Sequence, residues 1–257
     1  MTVPTGVMPR VGNLPAALTT FVGRRQEAAE VRRALGTARL LTLTGVGGVG
    51  KTRLALEVAA ASASASASAA DFANGVWLVE LAPLLAAHTT ATALGVPDLG
   101  ARPVIEQPAA FLTHRGPLIV LDNCEHLVDA CAEMSQTLLP ASPGLRILTT
   151  SRRALGTFGE HVFTVPPLMP RDAVELLRDR TAAIRPEFKI TDGNHTQVLR
   201  LRESLDGLPL AIELAASRLQ TLSVDEAANR LVDRFGLLTG GNRTARPHQR
   251  TLRGLID

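Results

Sequence analysis

GVGGVGKT, residues 45–52, decides the fold, because it follows an apolar stretch at 39–44 and precedes a helical pattern. It matches G-x-x-x-x-G-K-[ST], a loop whose glycines let backbone N–H groups turn toward phosphate oxygens. Lys51 supplies positive charge for the β- and γ-phosphates, and the Thr52 hydroxyl is a ligand for Mg²⁺. The sequence therefore predicts a phosphate-binding loop, whose nucleotide-binding residues are Gly45, Val46, Gly47, Gly48, Val49, Gly50, Lys51, Thr52 and Arg53.

A second anchor for Mg²⁺ is predicted at Asp122, where the apolar run 118–121 (LIVL) ends. A carboxylate at the end of a buried strand can hold the water shell of the metal beside Thr52. We therefore expect Thr52 and Asp122 to be the metal-binding residues, and Lys51 and Asp122 to be catalytic.

The residues after Asp122 admit more than one interpretation. Glu125 is either a base that polarises the attacking water or a surface carboxylate at the start of the next helix. Asn123 and His126 either position water or cap that helix, and Cys124 is expected to be packed rather than reactive.

A candidate sensor of the γ-phosphate follows the next apolar strand, 145–150. Arg152, in the sequence SRR at 151–153, is expected at the carboxyl edge of the sheet, where nucleotides bind in open α/β folds. The alternative for Arg152 is a solvated surface charge, and Arg153 is expected to be a surface residue.

Short apolar runs alternate with helical patterns, which is typical of a parallel α/β sheet. The predicted strands are 39–44, 75–81, 117–122, 145–150 and 161–165. From residue 170 onward the patterns are helical, at 171–184, 195–205, 208–219 and 224–235, with a capping box of Ser223 and Glu226 before the last. The fold class is therefore an α/β P-loop NTPase with a five-stranded parallel sheet, followed by a smaller all-helical subdomain.

The domain organisation follows from this pattern. We expect an N-terminal arm at 1–19, a nucleotide-binding domain at 20–166, a helical subdomain at 167–238 and a linker with the start of another domain at 239–257. The tract ASASASAS at 61–68 is interpreted as the second half of a helix that begins near Lys51, since alanine favours helix.

Composition excludes several classes of protein. No apolar run reaches the length of a membrane span, and no secretory signal is recognised at the N-terminus, so a soluble cytoplasmic protein is expected. Cys124 and Cys131 support neither a disulfide framework nor a zinc site. The net charge of +3 is mild and gives little support to nucleic-acid binding. Of the 27 basic residues counted as Lys and Arg, only Lys51 and Lys189 are lysines.

Four blocks together resemble the signal-transduction ATPases with numerous domains (STAND), in particular NB-ARC-like ATPase cores of actinobacterial AfsR/SARP- and LuxR-type regulators. The blocks are 21-FVGR-24, 45-GVGGVGKT-52, 118-LIVLDNCEH-126 with 147-ILTTSR-152, and 207-GLPLAIELAA-216. The resemblance implies that Val22 and Arg24 contact adenine and that Pro209 packs against the nucleotide. From the residues alone, the block at 207 is a helix start with an apolar face.

The resemblance also has departures. Members of the family usually carry an acidic residue after the sensor arginine, where this chain has Arg153. Their winged-helix domain carries a histidine on the ADP β-phosphate, whereas 248–257 resembles only the lead-in to that domain. We therefore expect this chain to stop before the winged helix, as a fragment of a larger regulator or as a standalone remnant.

The function expected from the sequence is an ATP/ADP-binding switch with slow Mg²⁺-dependent hydrolysis, as the regulatory core of a transcriptional regulator. Lys51, Asp122, Glu125 and Arg152 are the predicted catalytic residues. A non-catalytic ADP-binding module is the alternative, and a DNA-binding protein in its own right is a weaker one. The expected partners are an adenine nucleotide, other regulator domains and a second copy in the ATP state, but neither a membrane nor, directly, nucleic acid.

Overall fold

The structure is a computed structural model, and it describes residues 12–65, 72, 75–80 and 116–229. Several expectations fall outside these residues: the first part of the N-terminal arm, the end of the alanine-serine tract, the end of the helix predicted at 224–235, and the segment 239–257. Within the described part of the chain, no helix combines the length and apolarity that crossing a bilayer requires.

One five-stranded sheet contains all the strands that the sequence predicts, and their ends differ from the prediction by at most one residue. The strands are β1 Leu40–Thr44, β2 Val76–Glu80, β3 Leu118–Asp122, β4 Arg146–Thr150 and β5 Glu160–Thr164. The apolar character of β1 and β3 follows from burial on both faces, whereas β5, at the edge of the sheet, has several exposed residues.

The strand order is β2-β3-β4-β1-β5. The pairs β1–β4, β2–β3 and β3–β4 are parallel, with Leu43 opposite Thr150 and Leu121 opposite Thr149. Strand β4 therefore separates the strand that enters the phosphate loop from the strand that ends at Asp122. Because carboxyl ends of parallel strands meet at one edge, the ends of β3 and β4 lie side by side.

The chain divides into two compact units. The second comprises Thr19–Glu27, Gly45–Lys51 and the chain from Thr164 onward, and the first contains the sheet. The phosphate loop thus packs with the helical unit, although it precedes residue 166 in the chain. The domain boundaries expected from the sequence remain a prediction, because they follow chain order rather than packing.

Three helices lie mainly in the first unit: α1 Arg25–Thr37, α2 Lys51–Ala65 and α3 Val128–Ala141. Helix α2 includes residues 61–65 of the alanine-serine tract, as predicted from helix propensity. Helix α3 covers one face of the sheet through Val128, Cys131, Met134 and Leu138, which share a buried cluster with residues of β1, β2, β3 and β4.

The second unit contains α4 Pro170–Ile184, α5 His195–Glu203, α6 Pro209–Arg218 and α7, described at 224–229. Helix α4 packs against both α5 and α6 around a buried aliphatic cluster. The capping box before α7 is formed: the Ser223 N–H donates to Glu226 Oε2 at 2.9 Å, and the Glu226 N–H donates to Ser223 Oγ at 3.2 Å.

Helix α5 ends two residues before the predicted end at 205. The chain turns there through Asp206 and Gly207, whose φ angles are 48° and 65°. Gly207 also approaches the backbone of Leu168, whose N–H donates to its carbonyl at 2.8 Å. The glycine at the start of the GLPL block is therefore required by backbone conformation and by close approach.

Gly207→Ala should lower the free energy of unfolding by about 1–3 kcal/mol. The added Cβ would lie 2.6 Å from the Leu168 carbonyl oxygen, at a φ that L-residues avoid. Urea unfolding followed by circular dichroism measures the loss. Gly193→Ala is the control, because a Cβ there would meet only Thr191 Oγ1 at 3.8 Å. Equal losses in the two variants would contradict the explanation.

Candidate nucleotide-binding site

The phosphate loop, 45–50, connects β1 to α2 and begins the helix at Lys51, in the strand–loop–helix context that the motif requires. Gly48 and Gly50 have φ angles of 75° and 91°, which other residues adopt only with strain. Val49 is fully buried beneath the loop, whereas Val46 is 47% exposed. Val49 therefore fixes the loop to the core, whereas Val46 lies at the surface.

Lys51 is buried, and its ammonium group is held by the loop itself. The Nζ atom donates to the carbonyl oxygens of Gly45 at 2.8 Å and Val46 at 3.1 Å. An ammonium group held by the loop of this motif is suited to bind phosphate oxygens, because the backbone N–H groups of the same loop can bind the same phosphates.

Two residues predicted from distant positions of the sequence, Arg24 and Pro209, lie at the loop. The Leu210 N–H donates to the Gly48 carbonyl at 3.2 Å, so the start of α6 is bonded to the loop. A Cβ on Gly50 would lie 3.5 Å from Pro209 Cγ and 3.6 Å from Arg24 Nη1. The structure therefore brings Arg24 and Pro209 to Gly50, which the sequence suggested only through resemblance.

Arg24 is a buried cation with spare donors. Its side chain is 4% exposed, Nη2 donates to the Pro166 carbonyl at 2.8 Å, and neither Nε nor Nη1 has a hydrogen-bond partner. Burial lowers the pKa of the guanidinium, an effect that the carboxylates of Glu27 and Asp172 oppose. Two unpaired donors beside a phosphate loop fit an anionic or hydrogen-bonding ligand such as a nucleotide.

The predicted metal-binding pair, Thr52 and Asp122, is in direct contact. Thr52 Oγ1 donates to Asp122 Oδ1 at 2.7 Å, across 70 residues of sequence. A hydroxyl and a carboxylate are hard oxygen donors of the kind that Mg²⁺ prefers, so this pair fits the ion. Thr52 directly follows Lys51 in the chain, which links the pair to the phosphate loop.

Thr150 is a residue that sequence reasoning missed. At the end of β4, its Oγ1 donates to Asp122 Oδ1 at 2.6 Å and accepts the Asn123 N–H at 3.0 Å. Thr150 is almost fully buried, at 1% exposure. The only sequence signal was a threonine at a strand end. Its role became clear from the pairing of β4 with β3, which places Thr150 beside Asp122.

Glu125 and Arg152, predicted separately, form an ion pair. Arg152 Nε lies 3.6 Å from Glu125 Oε1, and their side chains are 37% and 16% exposed. Glu125 belongs to a short 3-10 turn, Cys124–His126, and is half-buried, and its role as a base stays a prediction. Arg153 is exposed, as expected.

The remaining candidates after Asp122 have local roles. Asn123 begins the 3-10 turn with a φ of 66° but makes no side-chain capping bond there, so the capping interpretation does not hold for its side chain. Cys124 is fully buried, as expected for a packed thiol. Its hydrogen bond with Cys131 and its burial raise the pKa of Cys124, which keeps it unreactive.

Other predicted nucleotide contacts lie near the loop in sequence or in packing. Val22 is half-buried against the aliphatic cluster of the second unit. Arg53 is half-buried in the first turn of α2. Their roles in binding, like those of Gly45 and Gly47, remain predictions.

Together these features define the class of protein: the chain has the α/β fold of a P-loop NTPase. Among solved structures it is similar to a Walker-type ATPase of Pyrococcus abyssi, with a TM-score of 0.59 and 15% identity over 86% of this chain and 74% of that one. A STAND protein of Pyrococcus horikoshii with a tetratricopeptide repeat sensor gives a TM-score of 0.53 and 18% identity, over 91% of this chain and 36% of that one. At these identities the likeness concerns the fold.

Two of the relatives by sequence are named as regulators. The chain is 44% identical over 232 residues to a putative HTH-type transcriptional regulator of Mycobacterium tuberculosis, a match that covers 88% of this chain and 25% of the relative. It is 30% identical over 241 residues to the regulatory protein AfsR of Streptomyces griseus, covering 86% of this chain and 23% of AfsR. The chain thus spans about a quarter of these relatives. No protein-family model matches it.

Thr150→Val should destabilise the protein by about 1–3 kcal/mol. The substitution keeps the shape of the side chain but removes the donor to Asp122 and the acceptor for the Asn123 N–H, both in a buried position. Urea unfolding measures the loss. Thr137→Val, which removes an exposed hydroxyl bonded to the Glu133 carbonyl of the same helix, should change stability by no more than about 0.5 kcal/mol. A Thr150 variant as stable as this control would refute the assigned contacts.

Proposed function

We propose that the chain is an ATP/ADP-binding module that serves as the regulatory ATPase core of a transcriptional regulator. The observation that carries the proposal is the contact between Thr52 and Asp122, at 2.7 Å, directly after the enclosed lysine of the phosphate loop. A hydroxyl and a carboxylate at these two positions serve Mg²⁺–nucleotide binding in P-loop proteins.

In this proposal, each charged residue has a distinct task. Lys51 neutralises the β- and γ-phosphates, and Arg152 neutralises charge that develops on the transferred phosphoryl group. Thr52 and Asp122 hold Mg²⁺, which supplies further positive charge to the phosphates when bound. Arg24 donates to the nucleotide through its two unpaired nitrogens, and Pro209 packs against it from the start of α6.

Hydrolysis is proposed to be slow. The candidate base, Glu125, faces Arg152 at 3.6 Å, and this contact competes with any contact to an attacking water. The nucleotide then acts through different contacts in its two states rather than through turnover. The same ion pair also favours the second candidate, a non-catalytic ADP-binding module.

The regulatory context rests on the relatives. One relative is named as an HTH-type transcriptional regulator and another as the regulatory protein AfsR, and the chain matches about a quarter of the length of each. We extend the proposal to an NB-ARC-like switch that controls attached domains, or self-association, according to the bound nucleotide. Direct DNA binding by this chain is the weaker alternative, to be tested by the salt dependence of any DNA affinity.

Wild-type protein purified without added nucleotide should retain ADP, identified by ion-exchange chromatography after denaturation, and Lys51→Ala should retain none. Added ADP at a hundredfold excess over Kd should stabilise wild type by about 2.7 kcal/mol and leave the variant unchanged. Lys189→Ala is the matched control, because Lys189 is the only other lysine and is exposed. Retention of ADP by Lys51→Ala would contradict the proposed role of the loop.

Asp122→Asn separates the two candidate functions. If the chain is a weak ATPase, phosphate release from Mg²⁺–ATP should exceed the background of Asp122→Asn by at least about tenfold, as expected for loss of a charge that stabilises the transition state. Turnover equal in the two proteins, with ADP still bound by wild type, would leave the non-catalytic module as the function.

A further inference from the structure

The ion pair of Glu125 and Arg152 lies next to the proposed metal-binding carboxylate. Glu125 follows Asp122 by three residues at the end of β3, and Arg152 follows Thr150 by two at the end of β4. These strand ends are held together by parallel pairing and by the Thr150 hydroxyl on Asp122. An arginine at this edge is suited to contact a γ-phosphate, and here it is already engaged by a carboxylate.

The geometry of the ion pair is weak. One guanidinium nitrogen, Nε, faces one carboxylate oxygen at 3.6 Å, whereas a strong pair makes two parallel contacts at shorter distance. Glu125 Oε2 is buried and has no hydrogen-bond partner. A phosphate oxygen that offers a shorter, charge-assisted contact can therefore compete for Arg152.

Competition has a consequence that depends on the nucleotide. A γ-phosphate that takes Arg152 away from Glu125 would leave a carboxylate of 16% exposure without this cation. Uncompensated burial of a charge is unfavourable. Binding of a diphosphate leaves the ion pair intact, because a diphosphate has no γ-phosphate for Arg152 to contact.

We propose that Glu125 is a specificity-determining residue, which lowers the affinity for the triphosphate relative to the diphosphate by holding Arg152 in the resting state. The inference rests on the proposed function and adds the regulation of that site. It gives Glu125 a role in nucleotide discrimination that does not require it to act as a base.

The test measures Kd for ADP and for the non-hydrolysable β,γ-imido analogue of ATP, both with Mg²⁺, on the full chain. Glu125→Gln keeps the size of the side chain and removes its charge. It should tighten binding of the ATP analogue by about three- to fivefold, the range of a partly exposed ion pair, and leave the Kd of ADP within twofold. Glu133→Gln, the same charge change at an exposed position on α3, should alter neither constant.

A double-mutant cycle assigns the effect to the ion pair. Arg152→Gln should weaken binding of the ATP analogue and spare ADP, and adding Glu125→Gln to it should restore less than twofold. An unchanged ATP-to-ADP ratio in Glu125→Gln, with ADP still bound, would overturn this inference alone. A gain that persists undiminished without Arg152 would overturn it as well. Failure of wild type to bind either nucleotide would overturn the proposed function and the inference with it.

Discussion

A single carboxylate oxygen connects three parts of the first unit. Asp122 Oδ1 accepts hydrogen bonds from Thr52, at the start of α2, and from Thr150, at the end of β4. Because Thr150 also accepts the Asn123 N–H, the backbone that follows Asp122 is aligned by the same residue. The end of β3, the end of β4 and the first turn of α2 are thereby held in one arrangement, on which the geometry of Glu125 and Arg152 depends.

In the second unit, two buried cations, Lys51 and Arg24, lie at the glycine-rich loop. Lys51 is enclosed by carbonyl oxygens of its own loop, and Arg24 is held by the Pro166 carbonyl while two of its nitrogens remain unpaired. Removing charge from water is unfavourable unless partners replace the lost hydration. The unpaired donors of Arg24 therefore mark a position where the protein alone does not satisfy its own charge, as binding sites for anions do.

The proposed switch follows from the contrast between these arrangements. Asp122 Oδ1 accepts two short hydrogen bonds, at 2.7 and 2.6 Å, whereas Arg152 Nε lies 3.6 Å from Glu125 Oε1. Strong contacts define an arrangement that persists, and a weak ion pair can be exchanged for a better partner. A site with both kinds of contact can keep Thr52 and Asp122 in place while Arg152 exchanges Glu125 for a γ-phosphate.

Sequence reasoning was sufficient for the five strands, for the helices after residue 170 and for the phosphate loop, whereas α1 was not predicted. Continuous apolar runs identified strands such as β1 and β3, because strands buried on both faces need apolar residues throughout. β5 is the exception, since most of its residues are exposed. The loop at 45–52 was identified because its chemistry requires glycines, a lysine and a hydroxyl in fixed order. The capping box at Ser223 and Glu226 was equally local, since both partners lie within one helical turn.

What only the tertiary structure decided was which of these residues meet. Strand order places β4 between β1 and β3, and no local pattern encodes that order, so Thr150 had no visible role in the sequence. The pairing of Glu125 with Arg152 and the approach of Arg24 to Gly50 depend on contacts across many residues. Local propensity and motif chemistry depend on residues that are close in sequence. The neighbours of a charged side chain depend on packing, which the whole chain determines together.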